Sequence, residues 1–265
     1  MGIINVTPDS FADGGLRFDP ARAVADGLQM IEDGADLLDV GGESTRPGAD
    51  PLPLDEELRR VVPVVEQLAQ RGTVPVSVDT YKAAVAREAV QRGATIINDI
   101  SGLQYDAELA PVAAESGAAL VLMHNRGRSR EMYREATYQD VLGEVVQELE
   151  AAMHHAMAAG VDRHAIIVDP GIGFAKKAAQ SFATIAGLER LTTLDRPILT
   201  GPSRKSYLKD ALGDRPPSER EWGTAAAVAA CVLAGAHIVR VHGVRDMRDV
   251  VRVADRIRDS GSRNS

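Results

Sequence analysis

The chain has 265 residues, 45% of them hydrophobic and 26% charged, which suits one α/β domain or two small ones with a full core. A net charge of −8 argues against non-specific binding to nucleic acid or anionic membranes, and leaves anionic small substrates to local basic residues. No apolar run reaches the ~18 residues of a membrane span, no basic n-region opens a secretory signal, and the single Cys231 permits no internal disulfide and favours a reducing cytoplasm.

Short β-branched or apolar runs recur along the chain, each followed by a turn signal and a helical pattern. The expected strands are "GIINV" (2–6), "DLLDV" (36–40), "VPVSVD" (74–79), "TIIND" (95–99), "ALVLM" (119–123), "AIIVD" (165–169), "RPILT" (196–200) and "HIVRV" (237–241). Amphipathic stretches such as 20–34 and 138–160 lie between them. In "EDGADLLDV", "QRGATIIND" and "LAGAHIVRV" a glycine closes the helix and opens the strand. Eight such units over roughly 250 residues, with no Pro/Ser-rich linker, predict a single-domain TIM (β/α)8 barrel over 1–258. A doubly wound open sheet is the alternative, since alternation alone does not say whether the sheet closes. The tail 259–265 reads as a frayed end.

Polar residues gather at one end of every strand: Asn5, Gly41 to Arg46, Asp79, Asn98, His124, Asp169, Ser203 to Lys205, and Arg240 with His242. In a barrel these ends share one face, where active sites of this fold lie. Strand parity puts Arg240 and His242 on the same side, and allows only one of Asn98 and Asp99 to face the mouth. Taken singly, an Asp, Ser, Thr or Asn after a strand reads first as a helix N-cap. Eight strands ending this way, with four Arg or Lys among them, point instead to a shared pocket for an anion.

Individual motifs carry plainer readings. "GPSRKS" (201–206) lacks the spacing of a phosphate-binding Walker loop, so Ser203 is either a helix cap or part of a site in which Lys205 occupies a first helical turn facing an anionic substrate. His154 and His155 read as a solvated helix face, Cys231 as core, and Trp222 and the methionines as packing.

Seven motifs, "MGIINVTPDSFADGG" (1–15), "GGESTRPG" (41–48), "VSVDT" (76–80), "IINDISG" (96–102), "DPGIGF" (169–174), "SRKS" (203–206) and "RVH" (240–242), together resemble the dihydropteroate synthase family, in its order and from end to end. The resemblance implies a TIM barrel that joins 6-hydroxymethyl-7,8-dihydropterin pyrophosphate to p-aminobenzoate and releases pyrophosphate in folate synthesis, by an SN1-like course. It implies a pterin pocket of Asp79, Asn98, Ile100, Met123, Asp169, Phe174 and Lys205. A pyrophosphate site would comprise Asn5, Thr45, Arg46, Arg240 and His242, with Mg²⁺ near Asn5. The p-aminobenzoate site would comprise Thr45, Arg46, Pro47, Phe174, Lys205 and Ser206. Lys205, Asp79, Arg240 and His242 would carry the chemistry, and the family's members are sulfonamide targets that pair as homodimers.

Three positions depart from the family's pattern: Asn125 where Met or Trp is common, Ala175, with Lys176 kept after it, and Gly243 where Asp is usual. None removes a residue assigned to chemistry. A related pterin-binding methyltransferase domain would not need "ESTRPG" or "SRKS". A non-catalytic paralogue would be expected to lose the loop arginine or the lysine of "SRK", and both are present.

Overall fold

The computed structural model describes residues 1–6, 19–44, 48–128, 133–134 and 136–262. Eight parallel strands form its centre: β1 (Gly2–Asn5), β2 (Leu38–Gly41), β3 (Val76–Asp79), β4 (Ile96–Asp99), β5 (Ala119–Met123), β6 (Ile166–Asp169), β7 (Leu199–Thr200) and β8 (Ile238–Val239). The first six make one ladder in chain order and the last two make another. Single parallel bridges, Val168 with Ile198 and Gly2 with Val241, join the two ladders at both seams, so the order returns to β1. This is the order of a TIM barrel; a doubly wound sheet would reverse its order and leave two edges.

The helices are α1 (Pro20–Glu32), α2 (Leu54–Arg71), α3 (Ala83–Gln91), α4 (Leu109–Ser116), α5 (Val141–Ala158), α6 (Ala178–Ala186), α7 (Lys209–Leu212), α8 (Glu221–Leu233) and α9 (Val244–Ser262). Asp19 caps α1 by accepting from Ala21 N at 2.9 Å, with Pro20 preset for the first helical position. Strands covered by helices outside and by side chains inside must be apolar on both faces. Leu38, Val40, Val78, Ile97, Leu120, Leu122, Ile166 and Val168 are buried accordingly. The three glycines expected between helix and strand, Gly34, Gly93 and Gly235, all have φ near +100°, a conformation that a Cβ disfavours.

Three expectations need correction. β7 and β8 are shorter than the runs 196–200 and 237–241: before β7 the His237 side chain, rather than a ladder carbonyl, takes the Ile198 N–H (3.1 Å to Nδ1), and beyond β8 Val241 makes an isolated bridge to Gly2. Helix α9 continues to Ser262, so 259–262 do not fray; Arg258 pairs with Asp255 at 2.8 Å and Ser260 Oγ donates to Arg256 O at 2.7 Å, while 263–265 lie outside the described residues. Trp222 is not packing: it stands 88% exposed in the first turn of α8, where Thr224 takes the inward place. Cys231 is buried in the core, and His154 and His155 are exposed.

Candidate active site

Strand register assembles the site. Asn5 pairs with Gly41, Gly41 with Asp79, and Asp79 with Asn98, so three of the expected site residues share one row at the C-terminal rim of β1, β3 and β4. Gly41 leaves this row open: a Cβ there would lie 3.3 Å from the Asp79 carboxylate. Asn5 is exposed on the rim.

One layer deeper sits a carboxylate that sequence reasoning missed. Asp39 of β2 is fully buried, and its Oδ2 accepts from Arg240 Nε at 2.6 Å and from Asn98 Nδ2 at 3.0 Å. The same guanidinium donates from NH2 to Asp79 Oδ2 at 2.7 Å. Arg240 therefore lies between two carboxylates, held in one orientation by two charge-assisted bonds. Burial pushes the Asp79 carboxyl up from 3.8 to about 7, with Arg240 opposing the rise and Asp39 adding to it. Burial acts against the Arg240 charge, but Asp39 and Asp79 more than offset it and keep its pKa above the ordinary value. Asn98 faces this cluster, whereas its neighbour Asp99 turns into its own loop and accepts from Ser101 Oγ (2.7 Å) and the N–H groups of Ser101 (2.8 Å) and Leu103 (2.6 Å).

Across the barrel, Met123 of β5 pairs in register with Asp169 of β6, and both are buried. Asp169 Oδ1 accepts from Gly171 N at 2.7 Å, and burial raises its pKa against the attraction of Lys205. Lys205 donates to the carbonyl of Ile172 at 2.5 Å, and its Nζ lies 4.4 Å from the Phe174 ring centre, a cation–π contact. Burial lowers Lys205 to about 8, with Asp169 pulling the other way. Ile100 is buried. Lys205 does not lie in a first helical turn; its backbone is extended, and a single 3₁₀ turn follows at Ser206–Leu208. The exposed Ser206 lies beside it, its Oγ 3.4 Å from Tyr133 OH.

Ser203 caps no helix. Its Oγ accepts the His242 N–H at 3.3 Å and lies 2.9 Å from His242 Nδ1, so the β7 loop orients the imidazole. Between Ser203 and Lys205, Arg204 has φ +58° and is held by α8: its N–H donates to Thr224 Oγ1 (3.0 Å), its carbonyl accepts from Arg220 (2.9 Å), and its Nε donates to Glu221 (2.7 Å). The departure at Gly243 has a structural counterpart here, because a Cβ at 243 would come within 2.5 Å of Glu221 Oε1. Gly243 makes room for the carboxylate that pairs with Arg204. Asn125 is buried beside the site, and its carbonyl accepts from Gln104 at 3.0 Å.

Thr45, Arg46 and Pro47 lie outside the described residues, but the stems flanking them are firmly held. Glu43 accepts from Tyr81 OH (2.8 Å), Lys82 Nζ (2.6 Å) and the Leu52 N–H (3.0 Å), and Lys82 also donates to Leu52 O at 2.8 Å. Lys82 and Thr80 share the buried Glu57, the hydroxyl donating at 2.6 Å.

A rim of amides, carboxylates and cations on a parallel barrel is what a polar heterocycle and an anion would require. A family model described as "Pterin binding enzyme" matches residues 1–242. The dihydropteroate synthase of Mycobacterium leprae (strain TN) is 47% identical over 259 residues, covering 96% of this chain and 91% of that protein. That of Bacillus subtilis (strain 168) is 46% identical over 261 residues, covering 98% and 89%. Among solved structures, the Xanthomonas albilineans dihydropteroate synthase with 4-aminobenzoic acid matches with a TM-score of 0.90 at 42% identity, over 97% of this chain and 91% of that one. With such identity along nearly the whole length of each relative, the chain belongs to the dihydropteroate synthase family of pterin-binding enzymes.

Proposed function

We propose that the chain catalyses the dihydropteroate synthase reaction of folate synthesis, condensing 6-hydroxymethyl-7,8-dihydropterin pyrophosphate with p-aminobenzoate. The observation that carries this reading is the convergence of Asp79, Asn98, Asp169, Lys205 and Arg240 on one barrel mouth, in a chain nearly half identical to named synthases. Asn98 can both donate to and accept from a pterin amide, and Asp169 can accept from two neighbouring pterin N–H groups. Ile100, Met123 and Phe174 supply apolar walls.

In the proposed course the bond from the pterin methylene carbon to the pyrophosphate oxygen breaks, and the electron pair leaves with the anion. Arg240 and His242 stabilise that departing charge, while the Asp79 carboxylate faces the cation left behind. The aniline nitrogen then forms the new C–N bond and loses a proton to water. Thr45, Arg46, Pro47 and Ser206 complete the p-aminobenzoate side of the proposal. Asn5 offers one neutral amide oxygen at an open rim, and no cluster of three His, Cys, Asp or Glu occurs among the described residues. Such a donor set suits Mg²⁺, which keeps its waters and takes its other ligands from substrate phosphates. Bound there, Mg²⁺ would neutralise charge on the pyrophosphate.

The homodimer and the cytoplasmic setting belong to the same proposal. The first is supported by exposed Leu233, Val253 and Ile257 on α8 and α9. The second is supported by the free, buried Cys231; among the described residues no helix is long and apolar enough to cross a membrane.

Pyrophosphate release with both substrates and Mg²⁺, read by a coupled assay and repeated with a sulfonamide competitor, tests the function. Well-folded protein that yields no dihydropteroate at saturation would reject it. The pH profile tests the roles: kcat/KM should rise through about pH 7 as Asp79 ionises and fall above about pH 8 as Lys205 loses its proton. Asp79→Asn should remove the acid limb from whatever activity remains. Stability runs oppositely for Asp79, because a raised folded pKa favours the fold below 3.8 and that contribution is lost as pH rises through about 7.

A further inference from the structure

Lys176 follows the "DPGIGF" motif, and no role described above uses it. Its side chain is only 1% exposed. The Nζ lies 2.9 Å from His124 Nδ1, 3.2 Å from the carbonyl of Gly171 and 3.2 Å from that of Phe174. An ammonium has three N–H donors, and here it meets three acceptors. The imidazole agrees: His124 Nε2 stands 3.1 Å from Glu148 Oε2, so a proton on Nε2 leaves the Nδ1 lone pair for Lys176. Burial keeps His124 neutral by lowering it to about 4.

The segment that Lys176 gathers has an unusual backbone. Gly171, Gly173 and Ala175 all have positive φ, at 68°, 79° and 45°. Gly171 presses so close to β5 that a Cβ would lie 2.0 Å from the His124 carbonyl oxygen. No strand ladder holds these residues. The two carbonyls bound by Lys176 bracket Ile172, whose own carbonyl accepts from Lys205, and the second of them belongs to Phe174, whose ring lies against the same ammonium.

We propose that Lys176 is a positioning residue for the reaction: its ammonium shapes residues 170–175 so that Ile172 and Phe174 hold Lys205 in place between the two substrates. The inference rests on the reading of Lys205 as the residue that meets both substrates. The charge is held at a cost, since burial brings Lys176 down to about 7, with Asp169 and Glu148 attracting and Lys205 and Arg126 repelling. A lysine that served stability alone would, when replaced by methionine of similar length, cost melting temperature through the acceptors left without a donor, with activity intact in the folded protein.

The test compares Lys176→Met, Lys205→Ala and the double variant by thermal melting and steady-state kinetics. Lys176→Met should melt below the parent temperature, because Gly171 O, Phe174 O and His124 Nδ1 lose their donor, and the folded protein should also lose about tenfold in kcat/KM for p-aminobenzoate. In the Lys205→Ala background the same change should cost less than about twofold, because the two residues act through one contact. Parent-like turnover in Lys176→Met, or losses that multiply in the double variant, would overturn the inference. Normal turnover in Lys205→Ala would instead overturn the reading beneath it. Should Lys176→Met not fold, ¹⁵N NMR of the parent protein decides: His124 protonated at Nε2 supports the arrangement, and protonation at Nδ1 overturns it.

Discussion

Asp39→Ala should destabilise the fold by about 3–5 kcal/mol, the usual cost of removing one partner from a buried ion pair. The carboxylate has no exposure to water and holds both Arg240 and Asn98. Without it Arg240 keeps a single carboxylate, Asp79, and the Asn98 amide loses the acceptor within its reach. Asp39→Asn should cost less, because an amide oxygen still accepts from Arg240 Nε. Urea unfolding at neutral pH measures both differences. A loss below about 1 kcal/mol for the alanine variant would show that Asp79 alone suffices to hold Arg240. The variant should also bind pyrophosphate more weakly, since the guanidinium it disturbs is the one assigned to that anion.

Lys205→Ala should lower kcat/KM by ~10²-fold or more, the scale of losing a charge contact made in the transition state. The Nζ is anchored on Ile172 O and the Phe174 ring, so its position is preset before any substrate arrives. Its pKa of about 8 leaves it mostly charged at neutral pH. Steady-state kinetics with each substrate varied in turn would locate the loss. Turnover near that of the parent would remove Lys205 from the site.

Much of this architecture is legible in the linear chain because its signals are local. Gly34, Gly93 and Gly235 mark helix ends through a backbone angle that glycine adopts most easily, and apolar runs mark strands buried on both faces. Period two alone predicts a shared side for Arg240 and His242, but β8 ends at Val239, and the two reach different partners, Asp39 and Asp79 for the first and Ser203 for the second. Asp39 escaped because its role depends on residues 59 and 201 positions away, Asn98 and Arg240, which only the folded barrel brings beside it. A signal existed: a carboxylate inside "LLDV", on a strand with no wet face, must have a buried partner. Trp222 was misread for a different reason, since apolar character does not reveal which side of a helix start a ring will take. The pairing of Glu221 with Arg204 past Gly243 was likewise invisible, because it joins three loops and helices with no common period.

The anchoring of Glu43 and Lys82 on both ends of the 44–51 segment has a consequence for how this chain can vary. Residues 43 and 52 are tied together by side chains belonging to β2, β3 and their flanks, so the barrel does not depend on the chain between them for its geometry. Lengthening a connection whose two ends are already held is thermodynamically mild, on the order of 0.6 kcal/mol for each doubling. Under the proposed function, substitutions and insertions between the two stems would thus change the p-aminobenzoate side of the site at small expense to the fold, whereas changes at Asp39 would cost the fold itself. Under the same proposal, variation in ligand preference has an open route through the first and a closed one through the second.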